Sequence, residues 1–414
     1  MSAAAIVFDP LSEDFARDPY PTYAALRAYS ATSGGAPWYW EAGDMWLLSR
    51  FEDVAAAAVN PKCVRTLDGI KTKDEIDAER RRANWHDMPH HQRFVQASLL
   101  DSDGEVHHRL RRRLFGEFTH ARIQALRPQI ERHVDHLIDV VAERGEFDFI
   151  EDFAAHVPGH IIGRLLGVPD ADCAILRTWS ENIVQYFDIE RTDAKKALAE
   201  TTTVEFYQYL LTLSDERRRA PKDDLISRLV AAYDSGNLSE DEYISTCMLI
   251  LMAGHGSTID VLGSGLHALL RFPDQMRRLR DEPALITTAV PEMFRFESPL
   301  PFFHRYASEP LEINGFTFGK GAKLGMLYGC ANRDGAAFAE AARFDAGRTP
   351  NRHLAFGGGA HLCLGNHLAR TDMDILFTRL LRRFDRIELE EAPIYRRGLS
   401  VRGPRVLRVL ARPA

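Results

Sequence analysis

The chain predicts a mainly α-helical fold with a small β-rich lobe, and three patterns carry that expectation. Apolar residues recur at three and four spacing through most of Ile123 to Leu213, as in ALRPQIERHVDHLIDVVAERG and GHIIGRLLG. A second long helix opens on a capping box, Ser239 with Glu242, and ends near Phe272 and Pro273. Its apolar residues run all around, as in a central buried helix. Strand-like segments cluster in two stretches, about residues 30–65 and 300–325. No repeat, low-complexity tract or linker divides the chain, so residues 1–414 are expected to form one unit, helical outside those two stretches.

Composition narrows the function classes. Among 414 residues, 45% are hydrophobic and 27% charged, the balance of an ordinary soluble globular protein. A net charge of −7 gives no global attraction to nucleic acid. The N-terminal MSAAAIVFDPLSEDF lacks a basic region, and Asp9 and Pro10 interrupt its apolar run, so a signal peptide is not expected. Tyr243 to Leu270 is long enough to cross a membrane, but it carries His255, Asp260 and several glycines and is read as a helix buried in protein. The expected setting is the cytoplasm, with no membrane or nucleic-acid partner. Five cysteines (Cys63, Cys173, Cys247, Cys330, Cys363) are odd in number, scattered and without C-x-x-C spacing, as befits reduced thiols.

Taken in order, DPLSEDFARDPYPTYAALRAYS gives an extended start and then a short amphipathic helix near Pro21. Trp38 to Trp40 and Met45 to Ser49 flank a polar turn as two short strands. Leu67 to Ala97 has a charge run and no clean period, so a long surface loop with one or two helical turns is expected. Residues 101–120 open a helix on which His107 and Arg111 share a face at i and i+4, a spacing that can grip a pair of carboxylates. His133, His136, His156 and His160 show no convincing ligand spacing and read as core or surface residues. DERRRAPKDD is expected to be a charged loop.

Beyond the long helix, PEMFRFESP places Glu292 and Arg295 at i and i+3, able to pair and still reach a third chain segment. Pro299 and Pro301 force LPFFHRYA into an extended path, from which Leu300, Phe302 and Phe303 would alternate toward a pocket. Asn314-Gly315 marks a hairpin, followed by a helix near ANRD and a C-terminal helix from Asn366 to Phe384. Between them lies HLAFGGGAHLCLGNHLAR, where Cys363 sits between Gly357, Gly358 and Gly359 and a helix start. Glycines let backbone pass close to a flat ligand. Backbone N–H groups and a helix N-terminus stabilise a thiolate, while Phe356 and Leu362 keep water away.

That wording, F-G-x-G-x-H-x-C-x-G, resembles the haem-binding loop of the cytochrome P450 family. The resemblance runs from about residue 10 to the end, and four motifs fall in the expected order. It implies the family's triangular helical fold around a haem b, with Cys363 as the axial thiolate of the iron. It implies that His107, Arg111, Arg305 and His361 hold the propionates and that Phe356 and Gly357 line the cofactor. AGHGST resembles the family's oxygen-binding kink, with Ala253 and Gly254 making room for O2. Here Gly256 stands in the acid's place and Ser257 in the alcohol's, with Thr258 beside it, so a proton relay would use ordered water, Asp260 or His255, or be weaker than the family's usual one. Glu292 and Arg295 are expected to join Arg348. Leu67 to Ala97 would cover the pocket and Trp179 to Phe187 would roof it. Its walls are expected to include Trp85, Phe94, Phe187, Leu300, Phe302, Phe303 and Leu399.

The implied activity is monooxygenation of a small apolar or aromatic molecule, by hydroxylation or demethylation, in a monomer. The chain has neither a G-x-G-x-x-G following a strand nor a cluster-binding cysteine set, so electrons from NAD(P)H are expected through a ferredoxin and ferredoxin reductase. The basic face of Arg109, Arg112 and Arg113 is either solvated or a docking surface for that acidic donor. Two other classes stay open: a coupling oxidase or peroxide-driven enzyme, given Gly256, and a non-catalytic haem sensor or carrier.

Overall fold

The structure, a computed structural model, describes residues 6–413. Helix Glu240–Arg271 runs through the middle of the molecule, capped by Ser239 and Glu242 as expected, with Tyr243, Leu251, Val261 and Leu269 buried on different sides. It packs against helices His156–Leu166, Cys173–Val184 and Ile286–Phe296. Among the described residues it is the one helix long and apolar enough to cross a membrane, and most of it is buried in protein. Helices His120–Ala142 and Asn366–Arg383 lie together on one side and share the main hydrophobic core with the central helix.

The small lobe is a five-stranded sheet in the order Trp38–Trp40, Met45–Leu48, Lys323–Met326, Phe303–Ala307, Cys63–Val64. Met45–Leu48 and Lys323–Met326 run parallel, with Trp46 opposite Leu324, and the other neighbours are antiparallel. The Asn314-Gly315 hairpin forms between Leu311–Ile313 and Phe316–Phe318, and both turn residues take positive φ, 47° and 87°, as a type I′ turn requires.

Three stretches depart from the sequence expectation. Lys73–Arg82 is a ten-residue helix rather than an isolated turn or two. It has no buried residue, and its stability comes from its ends: a Thr72–Glu75 capping box, Asp74 and Glu75 in the first turn, and Arg80, Arg81 and Arg82 in the last. Asp193–Arg219 continues through DERRR, because Arg217 turns inward and donates to Asp224 Oδ2 over 2.7 Å. Glu146–Asp148, within the stretch read as mostly helical, is a strand that pairs with Arg408–Pro413, which in turn pairs with Phe384–Leu389.

Candidate active site

The cysteine loop is a set of tight turns braced on the small lobe. Gly357 and Gly359 take φ of 67° and 63°, and the Cys363 N–H donates to the Phe356 carbonyl over 2.9 Å. A Cβ on Gly359 would stand 2.9 Å from the Ala58 carbonyl oxygen and 3.0 Å from Val59 Cα, so that glycine lets the loop lie directly on helix Phe51–Val59. Asn366 Nδ2 donates to the Cys363 carbonyl over 2.8 Å as the C-terminal helix begins, and the Arg111 guanidinium donates to the Leu362 carbonyl. Phe356 packs at 4.6 Å on Phe294, beneath Arg370.

Cys363 is surrounded by protein yet keeps part of its surface uncovered. The same holds across Ala253, Gly254, Gly256 and Ser257, in mid-course of a helix buried on either side of them. Uncovered surface at such places marks the walls of an internal hollow. Burial pushes the Cys363 thiol up; the Gly365 N–H, Arg111 and Arg370 oppose that only in part. The sulfur therefore becomes a thiolate when a cation binds it.

Beside the loop stands a cluster of donors without enough acceptors. His107 is buried, with its ring 4.3 Å from that of His361, and Arg111 follows one turn later on the same face. Burial, then His361 and Arg111, push His107 down to about 4, so it is neutral at pH 7. Arg305 is buried on strand Phe303–Ala307 of the small sheet, donates to the His304 carbonyl over 3.2 Å, and among the described residues has no ion-pair partner. Burial, with Arg65 nearby, lowers it to about 10. A buried guanidinium without a counter-ion is costly unless an anion joins it.

Sequence reasoning missed two members of this cluster. Asp103 Oδ1 lies 3.2 Å from His361 Nε2, and its Oδ2 accepts from the Arg65 and Thr66 N–H groups over 2.7 and 3.0 Å. Its signal was the Asp-Gly step just before H-x-x-x-R. Arg65 is buried, donates to the His304 carbonyl over 2.7 Å and pairs with Asp101. No local pattern marks it.

Glu292 and Arg295 are both wholly buried and bidentate at 2.7 Å. Arg348 Nε donates to both Glu292 oxygens at 3.0 Å, and Asn351 and the Asp345 N–H complete the carboxylate's partners. On the central helix, Ser257 Oγ donates back to the Ala253 carbonyl over 2.9 Å and Thr258 Oγ1 to Gly254 over 3.2 Å. A Cβ on Gly256 would meet nothing within 4 Å. His255 turns instead to helix His156–Leu166, where Gly159 makes room for its ring, and Asp260 packs on the Gly403 backbone.

Several expected pocket walls are elsewhere. Phe94 has no uncovered surface: it stacks on Tyr207 at 4.7 Å inside the main core. Phe302 and Leu399 pack with Leu47 and Leu327 in a core of the small lobe. Phe302 and Phe303 are consecutive in extended chain and so point to opposite faces, and Phe303, half-buried, lies under Arg65 at 5.0 Å. Trp85 and Phe187 do meet, edge to face at 5.7 Å, with Arg191 over Trp85. Leu300 is half-buried. Arg109 is engaged by Glu242, whereas Arg112 and Arg113 are exposed and, among the described residues, unpaired.

The family model described as Cytochrome P450 matches residues 175–402. The biotin biosynthesis cytochrome P450 of Bacillus subtilis (strain 168) is 33% identical over 382 residues, 92% of each chain. Mycinamicin IV hydroxylase/epoxidase of Micromonospora griseorubida is 34% identical over 400 residues, 94% of each. Among solved structures, P450BioI in complex with hexadec-9Z-enoic acid ligated acyl carrier protein superposes with a TM-score of 0.87 at 30% identity, covering 96% of this chain and 99% of that one. Epothilone D-bound cytochrome P450epoK superposes with a TM-score of 0.88 at 29% identity, covering 99% and 100%.

Proposed function

The chain belongs to the cytochrome P450 family, and on that premise we propose that it hydroxylates or demethylates a small apolar or aromatic molecule, with NAD(P)H electrons delivered by a ferredoxin and its reductase. The class is an oxidoreductase, a haem-dependent monooxygenase. The cytoplasm and a monomeric state complete the proposal.

The residues present fit haem. A flat dianionic edge suits Arg305, which is buried without a counter-ion, and the adjoining His107, Arg111 and His361. Cys363 stands in a glycine-rich turn and keeps part of its surface uncovered; Cys63, Cys247 and Cys330 are buried. Bound through Cys363, haem iron supplies the activation of O2 that the side chains cannot.

The remaining work belongs to the chain. Gly357 and Gly359 keep the loop's backbone close and free of side chains, while Phe356 and Phe294 exclude water beneath it. Ala253 and Gly254 leave space on the facing helix wall. Ser257 keeps its proton on the Ala253 carbonyl, so its oxygen can accept a hydrogen bond from a water and hold that water in place, while the proton delivered comes from the water chain. Glu292, Arg295 and Arg348 hold the segment before the loop rather than touching substrate. Trp85 and Phe187 offer aromatic surface to the substrate, and Arg112 and Arg113 offer cationic surface to an acidic electron carrier.

The observation that carries this reading is the buried Arg305 beside the His107–His361 pair and the Cys363 turn. The test is a reduced carbon monoxide spectrum, followed by a screen of small apolar compounds for a spin-state shift. A haem-loaded protein without the thiolate signature would overturn it. The missing carboxylate at Gly256 keeps one rival in play, a coupling oxidase or peroxide-driven enzyme, and turnover with peroxide against turnover with a ferredoxin system separates the readings.

A further inference from the structure

At the corner between helices His156–Leu166 and Cys173–Val184, among residues that take no part in the cysteine-loop site, three chemically different metal-binding groups converge. His160, Asp170 and Cys173 bring a ring nitrogen, a carboxylate oxygen and a sulfur within 4.8 Å of one another. His160 comes from the first helix, Asp170 from the short turn Asp170–Asp172, and Cys173 from the first position of the second helix. We propose that this corner is a zinc-binding site, with His160, Asp170 and Cys173 as ligands and water in the fourth position.

His160 Nδ1 and Asp170 Oδ1 are 3.6 Å apart, too far for a hydrogen bond. Zinc–nitrogen and zinc–oxygen bonds of about 2.0–2.2 Å set at the tetrahedral angle separate two ligand atoms by about 3.3–3.6 Å. The gap therefore matches an edge of a zinc tetrahedron better than it matches contact between the two side chains. The Cys173 thiol makes one long hydrogen bond, to the Pro169 carbonyl at 3.8 Å, a contact that a thiolate bound to a cation gives up at little cost.

The surroundings hold the ligands in place. His133 stacks on His160 with ring centroids 4.0 Å apart and planes 15° from parallel. His133 is itself fixed by Nε2, 2.8 Å from the His156 carbonyl. Gly163 gives the sulfur its room: a Cβ there would stand 2.8 Å from Cys173 Sγ. Arg164 donates from Nε to Asp170 Oδ1 over 3.1 Å and from Nη2 to Oδ2 over 2.8 Å. One-oxygen coordination through Oδ1 leaves Oδ2 on Arg164, the usual partnering of a ligating carboxylate. Arg164 is well exposed, so water screens its charge from the cation.

The donor set selects the metal class. One thiolate, one imidazole and one carboxylate suit a borderline cation such as Zn2+ and disfavour Mg2+ or Ca2+, which take oxygen. Such a clip would join two helices that both pack on Glu240–Arg271 and would stiffen the one leading to Phe187.

The experiment uses haem-loaded protein, in which Cys363 is already engaged, equilibrated with ZnCl2 and dialysed. Zinc per haem is then measured by mass spectrometry, and the zinc absorption-edge fine structure is recorded. The expected result is one retained zinc with one sulfur in its shell, lost in Cys173→Ser and in His160→Ala, and a thermal midpoint raised by about 3 °C at a hundredfold excess over Kd. No retained zinc, equal retention in Cys173→Ser, or a shell without sulfur would overturn the proposal. Asp170→Asn is the further variant should His160→Ala not fold.

Discussion

His361 Nε2 lies 3.2 Å from Asp103 Oδ1, which ties the cysteine loop to the residue just ahead of helix Gly104–Phe115. Because Asp103 Oδ2 also takes the N–H groups of Arg65 and Thr66, one carboxylate gathers three segments distant in sequence. His107, on that helix, then meets His361 ring to ring.

Replacing Asp103 with asparagine should therefore loosen the cysteine loop without touching the cysteine. We expect a loss of about 1–3 kcal/mol, since a neutral amide accepts more weakly than a carboxylate and turns one of its two acceptor positions into a donor, and a lower haem-to-protein absorbance ratio. Burial would raise the Asp103 carboxyl, but His361 and the Arg65 and Thr66 N–H groups outweigh it and hold it at about 2. With the folded value below the unfolded one, of about 3.9, this contribution is complete above about pH 4 and disappears toward pH 2. Urea midpoints of the two proteins should accordingly converge on acidification; a gap unchanged at pH 2 would contradict the assignment.

Glu292→Gln should be among the most damaging single changes. It leaves Arg295 buried with no counter-charge and weakens the contact with Arg348. Removing one partner of a buried pair costs about 3–5 kcal/mol. Arg348→Lys should cost less, because it loses a fork on one carboxylate while Arg295 stays paired. Denaturant midpoints at constant m-value rank the two, and the reverse order would show that Arg348 is the keystone.

These groups were legible because their chemistry sits at short fixed spacings: Glu292 with Arg295, His107 with Arg111, Cys363 among glycines. The central helix and the Asn314-Gly315 hairpin were legible for the same local reason, a capping box and a turn dipeptide. Lys73–Arg82 was not, since an exposed helix held by its caps has no apolar period to read. Phe94 was misplaced because its partner Tyr207 lies on another helix, and hydrophobicity alone does not distinguish a core wall from a pocket wall. Arg65, and the meeting of His160 with Asp170 and Cys173, depend on tertiary packing that no stretch of chain encodes by itself.

Two loop glycines should respond differently to alanine. At Gly357, φ is 67° and the nearest atoms to a Cβ are 3.7 Å away, so only backbone strain of about 1–2 kcal/mol applies. At Gly359 a comparable φ adds contacts of 2.9 and 3.0 Å with the backbone of Ala58 and Val59, which cannot swing aside. Gly357→Ala should keep the thiolate signature in the reduced carbon monoxide spectrum, and Gly359→Ala should diminish it. Equal spectra in both would mean that the loop does not need its seat on helix Phe51–Val59.

Gly256→Asp tests proton supply. A Cβ at this position meets nothing within 4 Å, so the side chain starts out from the helix without a clash. Product formed per NAD(P)H consumed should rise, measured with any compound that shifts the haem spin state. An unchanged ratio would mean that water reaching Ser257 already delivers protons as fast as the reaction needs them.

Asp260 should set a pH dependence of opposite sign to that of Asp103. Its carboxylate is buried on the Gly403 backbone, and neither oxygen has a partner among the described residues. Burial pushes it up to about 6, and Arg396 pulls it back only in part. A folded value above the unfolded one means that the native state keeps its proton longer, so the penalty is absent below about pH 4 and grows to full size above pH 6. Asp260→Asn, which cannot ionise, should match the wild type at pH 4 and exceed it at pH 7 by up to about 3 kcal/mol. Buried histidines such as His107, pushed down to about 4, act in the opposite direction over the same range. Only the difference between the two proteins therefore isolates Asp260. If that difference stays flat from pH 4 to 7, the carboxylate ionises normally, and enclosed water rather than a proton satisfies it.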